Sequence, residues 1–243
     1  MSEAEAPLSC VCTGYGINAD GELAEALRRS GARVERRHIA ELLEDPRRLE
    51  RYRILAFPGG FSFGDHLGSG KVLATMIRLR LSEGIRAFLD SDGLVIGICN
   101  GFQVLVKAGL LPNLDGSWSP SVSLVHNDRG LFENSWVRVR AEHGNGSPWL
   151  RGIGDMDLPI RNGEGRFVTA SAELLERLER SKAVAFRYLD RNPNGSANDI
   201  AGITDSTGRI LGLMPHPEAF LTPYLHPAWR RGTGTGPTQD GLG

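Results

Sequence analysis

The chain has 243 residues, of which 40% are hydrophobic and 23% are charged, a composition typical of a globular protein with one large core. Its 28 basic and 29 acidic side chains leave a formal net charge of -1, so no basic excess exists to bind nucleic acid or an anionic membrane surface. Three cysteines do not describe a disulfide framework. Because neither a secretory signal nor a membrane-length apolar run is present, we expect a cytoplasmic protein.

Short apolar runs alternate with helical patterns through the first half of the chain. The predicted strands of this half are LSCVC (8–12), ARVERRH (32–38), RILAF (53–57) and LVIGI (94–98). One helix is predicted after the Gly-rich stretch 13–21, and another over 71–89, broken near Gly84. Since LVIGI is apolar at every position, it is expected to be buried on both faces of a parallel sheet, with helices covering each face.

The second half is richer in strand patterns. Predicted strands are SVSLV (121–125), SWVRVRA (135–141), AVAFRY (183–188), DIAGIT (199–204) and RILGLM (209–214). Together the elements predict an α/β fold, a three-layer sandwich with a mostly parallel central sheet and antiparallel additions. The segment 230–243 is rich in Gly, Thr and Pro, which predicts a flexible tail after a single domain of residues 1–229.

Cys99 lies in the segment GICNG (97–101), directly after an apolar strand and before a helical pattern. Small residues on both sides are what a nucleophile elbow requires, because the nucleophile takes a strained backbone at a strand-turn-helix junction. The helix start favours the thiolate through its partial positive charge. A free cysteine is more often a small buried hydrophobe, and we interpret Cys10 and Cys12 in that way because they alternate within a strand. For Cys99 the context predicts catalysis.

A thiol nucleophile needs a base, and the base needs an orienting group. The segment MPHPE (214–218) offers both in His216 and Glu218, at the end of a predicted strand, where open α/β sheets place their active sites. The alternative is that His216 is an ordinary loop histidine between two rigid prolines. Surface or structural roles are expected for the other histidines, His38, His66, His126, His143 and His226.

Acyl transfer also requires hydrogen-bond donors for the developing oxyanion. The turn PGGFS (58–62) ends another predicted parallel strand and has unhindered backbone amides. Gly60 and the amide of Asn100 are the candidate pair, although a Pro-Gly-Gly sequence by itself is equally typical of an ordinary tight turn.

Five longer segments carry a family resemblance: FPGGFSFGDHLGSGKVLA (57–74), GICNGFQVLVKAGLLPN (97–113), HNDRGLFENSWVRV (126–139), NGEGRF (162–167) and NPNGSANDIAGITDSTGRILGLMPHPE (192–218). In these the chain resembles the class I, or triad-type, glutamine amidotransferases, which have a flavodoxin-like fold. More narrowly, it resembles the glutaminase component of phosphoribosylformylglycinamidine synthase, an enzyme of purine biosynthesis. The resemblance implies hydrolysis of L-glutamine to glutamate and ammonia.

The resemblance also implies roles for individual residues. It makes Cys99, His216 and Glu218 a catalytic triad, with Cys99 attacking the carboxamide, His216 moving the proton and Glu218 orienting the imidazole. The residues it implies for the substrate pocket are Gln103, Asn127, Gly130 and Phe132. Ammonia would pass to a separate synthetase subunit, accompanied in some systems by a small accessory subunit, that converts formylglycinamide ribonucleotide to formylglycinamidine ribonucleotide. ATP and Mg²⁺ are expected on that partner, and neither a cofactor nor a metal on this chain.

The sequence departs from the family pattern at three places. Asn162 stands where His is usual, Ala219 where Arg usually follows His-Pro-Glu, and Ala19 where the first loop usually has Cys. A glutaminase serving a different acceptor and an inactive regulatory subunit of the same fold therefore stay open as alternatives. A third alternative is a cysteine hydrolase of the protease or chaperone type, against which Gln103 and the His-Pro-Glu segment argue.

Overall fold

The computed structural model describes residues 6–64 and 66–229, which form one large mixed sheet, a two-stranded sheet and six α-helices. The strands are Leu8–Thr13 (β1), Arg33–His38 (β2), Ile54–Phe57 (β3), Leu94–Ile98 (β4), Val122–Val125 (β5), Glu133–Ala141 (β6), Met156–Asn162 (β7), Arg166–Thr169 (β8), Val184–Tyr188 (β9), Ile200–Thr204 (β10) and Ile210–Leu213 (β11). The helices are Asp20–Arg29 (α1), Ile39–Glu44 (α2), Lys71–Arg80 (α3), Ser82–Asp90 (α4), Asn100–Lys107 (α5) and Ala172–Arg180 (α6). The tail predicted at 230–243 lies outside the described residues.

The large sheet has nine strands in the order β2-β1-β3-β4-β11-β10-β9-β6-β7. The strands from β2 to β11 run parallel, and those from β11 to β7 pair antiparallel. The second sheet pairs β5 with β8. The α/β class with a parallel core and antiparallel additions is therefore confirmed. No helix in the described part of the chain combines the length and apolar character needed to cross a bilayer.

Helices cover both faces of the parallel strands. On one face, Ile96 and Ile98 of β4 line a cavity of about 130 Å³ together with Leu23 of α1. On the other face, a Cβ built on Gly97 would lie 2.6 Å from Cδ1 of Leu105 in α5. The sheet is thus the middle of three layers, as the continuous apolar pattern of this strand predicts.

The helical pattern over 71–89 is divided differently from the prediction. The break falls at Leu81, between α3 and α4, and Gly84 lies inside α4. A Cβ on Gly84 would approach Cβ of Pro46 at 2.7 Å. The glycine is therefore explained by the close packing of α4 on the short 3-10 segment Pro46–Arg51 and not by a helix end.

Strand β7 was not expected from the sequence. It contains Pro159, which lacks a backbone donor and so argues against a central strand. In the structure β7 is an edge strand that pairs only with β6 among the strands described, so the missing donor costs no ladder hydrogen bond. Its alternating burial, from Met156 to Asn162, is the pattern that indicates a strand despite the proline.

The start of α5 packs unusually close to β3. A Cβ on Gly101 would lie 1.9 Å from the backbone carbonyl oxygen of Phe57. Because the carbonyl oxygen belongs to the backbone and a Cβ is fixed by the backbone that bears it, no side-chain rotation relieves such an overlap. Glycine at this position therefore allows the elbow to sit against the neighbouring strand.

We predict that Gly101→Ala destabilises the fold by about 3 kcal/mol, because the overlap outweighs the alanine helix preference of about 1 kcal/mol. Gly21→Ala in α1 is the matched control, since its Cβ would meet nothing closer than Nη1 of Arg36 at 4.0 Å. Urea unfolding of both variants is the measurement. Equal stability of Gly101→Ala and wild type would show that the close approach is not a constraint.

Candidate active site

Cys99 is the residue between β4 and α5, and its backbone is strained. Its φ of 50° and ψ of -104° lie in a region that L-residues rarely adopt. The side chain is 7% exposed, and Sγ lies 3.7 Å from the carbonyl oxygen of Arg161. A strained residue between a buried strand and a helix start is the geometry of a nucleophile elbow.

His216 is brought beside Cys99 by strand pairing. Strand β11 lies parallel to β4, with Leu213 opposite Ile98, and the amide of Cys99 donates to the carbonyl of Leu213 at 2.8 Å. The carboxyl ends of the two strands therefore meet at one edge. The His216 amide donates to the Pro159 carbonyl at 2.8 Å, which fixes the backbone of the histidine at this edge.

Glu218 orients the imidazole of His216. Nδ1 of His216 and Oε1 of Glu218 are 2.6 Å apart, and the two residues are 3% and 1% exposed. The other ring nitrogen, Nε2, is buried and has no hydrogen-bond partner among the described residues. With Nδ1 occupied by the carboxylate, Nε2 is the nitrogen free to exchange a proton within the cavity.

The charge on His216 is determined by its two neighbours. Burial by itself lowers the pKa of His216, but Glu218 and Cys99 act in the opposite direction and raise this pKa from 6.5 to about 10. The imidazole is therefore protonated at neutral pH in the resting protein. A cation beside the sulfur of Cys99 can supply the proton that the leaving group of an acyl transfer needs.

A cavity of about 160 Å³ opens above the sulfur of Cys99. Five of the residues to which the sequence analysis gives a role in catalysis or substrate binding line it: Gly60, Cys99, Gln103, Phe132 and His216. The other lining residues are Asn18, Ala19, Phe61, Ser69, Arg161, Asn162, Gly163 and Glu164. A volume of this size suits a ligand of about the size of an amino acid.

Gln103 and Asn100 tie the cavity floor to the surrounding loops. Nε2 of Gln103 donates to the carbonyl of Glu164 at 2.7 Å, and its Oε1 accepts from Nδ2 of Asn100 at 3.0 Å. Oδ1 of Asn100 accepts from the amide of Ser62 at 3.1 Å. The backbone amide of Asn100 belongs to the first turn of α5, where amides lack an intrahelical acceptor.

Gly60 brings the second turn to the cavity. It forms an isolated antiparallel bridge with Ile17, and a Cβ there would lie 2.7 Å from the carbonyl oxygen of Gly16. The φ of 149° and this close backbone approach both require glycine. Gly60 and Cys99 line the same cavity.

Asn127 and Gly130 differ from the expectation, since neither is among the residues that line the cavity. Nδ2 of Asn127 donates to the carbonyls of Leu131 and Asn162, each at 2.9 Å, and its Oδ1 accepts from the amide of Gly165 at 3.0 Å. Gly130 lies in the turn closed by its amide on the Asn127 carbonyl. Asn127 thus holds two loops together because its amide is fully used by backbone groups.

The end of β7 supplies residues that were not singled out for the site. Nη2 of Arg161 donates to Oε2 of Glu22 at 2.9 Å and lies 3.4 Å from Nδ1 of His216. Asn162 is 4% exposed, and both its amide atoms lack a partner among the described residues. Glu164 follows in the same loop. The signal available was the segment NGEGRF, but without a predicted β7 nothing placed it beside Cys99.

The described residues contain no group of three or more His, Cys, Asp or Glu side chains arranged to hold a metal ion. Cys10 and Cys12 are buried free cysteines of β1. His38 is the N-cap of α2, where Nδ1 accepts from the amide of Ala40. These positions are consistent with structural roles for all three residues.

The chain is similar to known proteins over most of its length. Residues 6–241 match the family described as the CobB/CobQ-like glutamine amidotransferase domain. The phosphoribosylformylglycinamidine synthase subunit PurQ of Dehalococcoides mccartyi is 42% identical over 226 residues, covering 88% of this chain and 86% of that protein. The PurQ subunit of Methanococcus maripaludis is 39% identical over 237 residues, covering 92% and 87%.

The chain is also similar to a solved structure. A chain in the structure of PurLQS from Thermotoga maritima is similar with a TM-score of 0.73 and 30% sequence identity, covering 90% of this chain and 92% of that chain. Because the similarity covers both the parallel and the antiparallel strands, it concerns the whole fold and not a single motif.

The raised pKa of His216 predicts a pH dependence of stability. The folded state holds a proton that the unfolded state releases near pH 6.5, so this stabilisation is complete below pH 6.5 and is lost as pH rises towards about 10. Glu218→Gln removes the negative charge that contributes most to the increase. We expect wild type to lose more free energy of unfolding than Glu218→Gln between pH 6.5 and 10, as measured by urea denaturation. The same pH dependence of the free energy of unfolding in both proteins would contradict the raised pKa of His216.

Proposed function

Since the chain belongs to the CobB/CobQ-like glutamine amidotransferase family and, within it, to the PurQ subunits of phosphoribosylformylglycinamidine synthase, we propose that it is the glutaminase subunit of that synthase. It hydrolyses L-glutamine to glutamate and ammonia. The ammonia passes to a PurL synthetase subunit, which converts formylglycinamide ribonucleotide to formylglycinamidine ribonucleotide in purine biosynthesis. We further propose that residues 1–229 are the catalytic domain, that ATP and Mg²⁺ bind to the partner, and that the reaction takes place in the cytoplasm.

One observation carries the catalytic part of the proposal. A strained cysteine at the start of a helix shares a cavity with a histidine whose Nδ1 is held by a buried carboxylate at 2.6 Å. This is the set of three groups that nucleophilic acyl transfer needs: a nucleophile, a proton carrier and an orienting acid.

In the first half of the reaction, the Cys99 thiolate attacks the carboxamide carbon of glutamine. The negative charge moves to the carbonyl oxygen, where the backbone amides of Gly60 and Asn100 stabilise it. Nε2 of His216 then gives its proton to the departing nitrogen, the C–N bond breaks, and ammonia leaves a glutamyl thioester on Cys99.

In the second half, water attacks the thioester. Nε2 of His216, now neutral, accepts a proton from this water, and the C–S bond breaks to release glutamate and regenerate the thiolate-imidazolium pair. Throughout both halves Oε1 of Glu218 holds Nδ1, so the ring keeps one orientation. Gln103 and Phe132 line the part of the cavity that takes the substrate.

Exposed apolar side chains surround the mouth of the cavity. Phe61 and Phe132 line it while remaining 47% and 57% exposed, and the neighbouring Leu131 is 68% exposed. Large apolar side chains exposed together indicate an interaction surface. We propose that the synthetase subunit docks here, so that ammonia passes to it without crossing bulk water.

Cys99 is the nucleophile of the proposed mechanism. Cys99→Ala should reduce glutamate release by at least about 10³-fold, because no other group replaces the thiolate. Cys10→Ala, which removes a buried cysteine of β1, is the control and should retain activity wherever it is folded. Glutamate is measured with purified synthetase present. Activity that survives in Cys99→Ala would count against the mechanism.

The synthetase partner is expected to control the rate of glutamine hydrolysis. The isolated chain should hydrolyse glutamine slowly, and adding the cognate synthetase should raise the rate about tenfold or more, because partner contacts complete such sites.

Leu131→Asp should weaken the binding of the synthetase. The synthetase concentration needed for half-maximal stimulation of glutamine hydrolysis should therefore rise. Leu79→Asp is the matched control, because Leu79 is 78% exposed on α3 and is not among the residues that line the cavity. Equal responses of the two variants would exclude the cavity mouth as the docking surface.

A further inference from the structure

The wall of the cavity contains an acidic side chain that is largely buried. The side chain of Glu164 is only 12% exposed, and it lines the cavity together with Cys99. Its backbone follows β7 in the segment NGEG (162–165), at the edge of the sheet where the candidate catalytic residues lie. A carboxylate in such a place loses hydration, which costs free energy unless a partner replaces the lost water.

The described residues provide this carboxylate with weak partners only. Oε2 accepts from the backbone amide of Ser69 at 3.3 Å, near the upper limit for a hydrogen bond. Oε1 lies 3.8 Å from Nδ1 of His126, a side chain that is 83% exposed. No Lys or Arg in the described part of the chain forms an ion pair with Glu164. The carboxylate is therefore available to a cation that enters the cavity.

The backbone of Glu164 is held by the helix that begins directly after Cys99. Nε2 of Gln103, one turn after Cys99 in α5, donates to the carbonyl of Glu164 at 2.7 Å. The next amide, of Gly165, donates to Oδ1 of Asn127 at 3.0 Å. Because it is anchored at both points, the backbone of Glu164 has a fixed position beside the helix start at Cys99, from which the carboxylate reaches into the cavity.

The two charged side chains of the cavity wall that carry opposite charge, Arg161 and Glu164, have different partners. The guanidinium of Arg161 lies at the His216 end, where Nη2 is 3.4 Å from Nδ1 of the histidine and is held by Glu22. Glu164 has different neighbours in the cavity wall, Gln103 and Ser69. A ligand whose carboxamide reaches Cys99 therefore shares a cavity of about 160 Å³ with the negative charge of Glu164.

Building on the proposed glutaminase function, we propose that the Glu164 carboxylate binds the α-ammonium group of glutamine and thereby makes the site specific for amides that carry an α-amino group. The α-ammonium is the only cationic group of glutamine, and a charge-assisted hydrogen bond to a largely buried carboxylate is strong. Such a contact acts on substrate binding and leaves the acyl-transfer chemistry at Cys99 unchanged.

The test compares two substrates that differ in the α-amino group. L-Glutamine has it, whereas glutaramate (4-carbamoylbutanoate) has the same carboxamide and carboxylate but carries hydrogen at that carbon. Ammonia release from each is measured for wild type, Glu164→Gln and the control Glu176→Gln, all in complex with the synthetase. Glu176 is an exposed residue of α6. The rate of Cys99 alkylation by iodoacetamide reports whether the elbow itself is intact.

We expect Glu164→Gln to raise the KM for glutamine by about tenfold to 100-fold, as for the loss of one hydrogen bond to a charged group. The kcat/KM for glutaramate should change by less than about twofold. The preference for glutamine, which is the ratio of the two kcat/KM values, should therefore fall about as much as the kcat/KM for glutamine does. Alkylation of Cys99 and all constants of Glu176→Gln should match wild type.

Two results would overturn the inference while leaving the glutaminase function intact. One is an unchanged preference for glutamine over glutaramate in Glu164→Gln. The other is an equal fall in kcat/KM for both substrates, which would show that Glu164 acts by holding the Ser69 loop. If the wild-type complex releases no ammonia from glutamine, the proposed function itself is wrong, and the inference is overturned with it.

Discussion

The parallel pairing of β4 with β11 is the constraint on which the rest of the site depends. These strands are far apart in sequence, but their register places Leu213 opposite Ile98, so that Cys99 and the MPHPE segment leave the sheet at the same edge. The backbone hydrogen bond from Cys99 to Leu213 fixes the register at the elbow residue itself. A shift of one residue would turn the side chains to the other face of the sheet and separate sulfur from imidazole.

The strain at Cys99 is maintained by close packing around it. A positive φ costs free energy at a residue with a side chain and persists only where the surroundings oppose its relaxation. Here the absence of side chains at Gly97 and Gly101 lets β4, α5 and β3 approach one another more closely than any Cβ would allow. The cost of the elbow is thus offset by the packing of a buried parallel sheet, which is the most stable part of such a fold.

Polar side chains around the cavity divide into two groups with different functions. Asn127, Asn100 and Gln103 make short hydrogen bonds to neighbouring loops and fix the shape of the cavity. Asn162 and Glu164 lie in the cavity wall with few or no partners. Since an unpaired buried polar group is costly, this second group is the part of the wall that a bound substrate would stabilise.

The sequence by itself determined the α/β class, most of the strands, and the candidate groups Cys99, His216 and Glu218, because apolar runs, flanking glycines and the His-Pro-Glu spacing are local signals. Tertiary structure alone decided which loops meet above the sulfur. Pro159 concealed the edge strand β7, so Arg161, Asn162 and Glu164 had no predicted position. It also decided the hydrogen-bond partners of Asn127, which are distant in sequence and are chosen only when the layers pack.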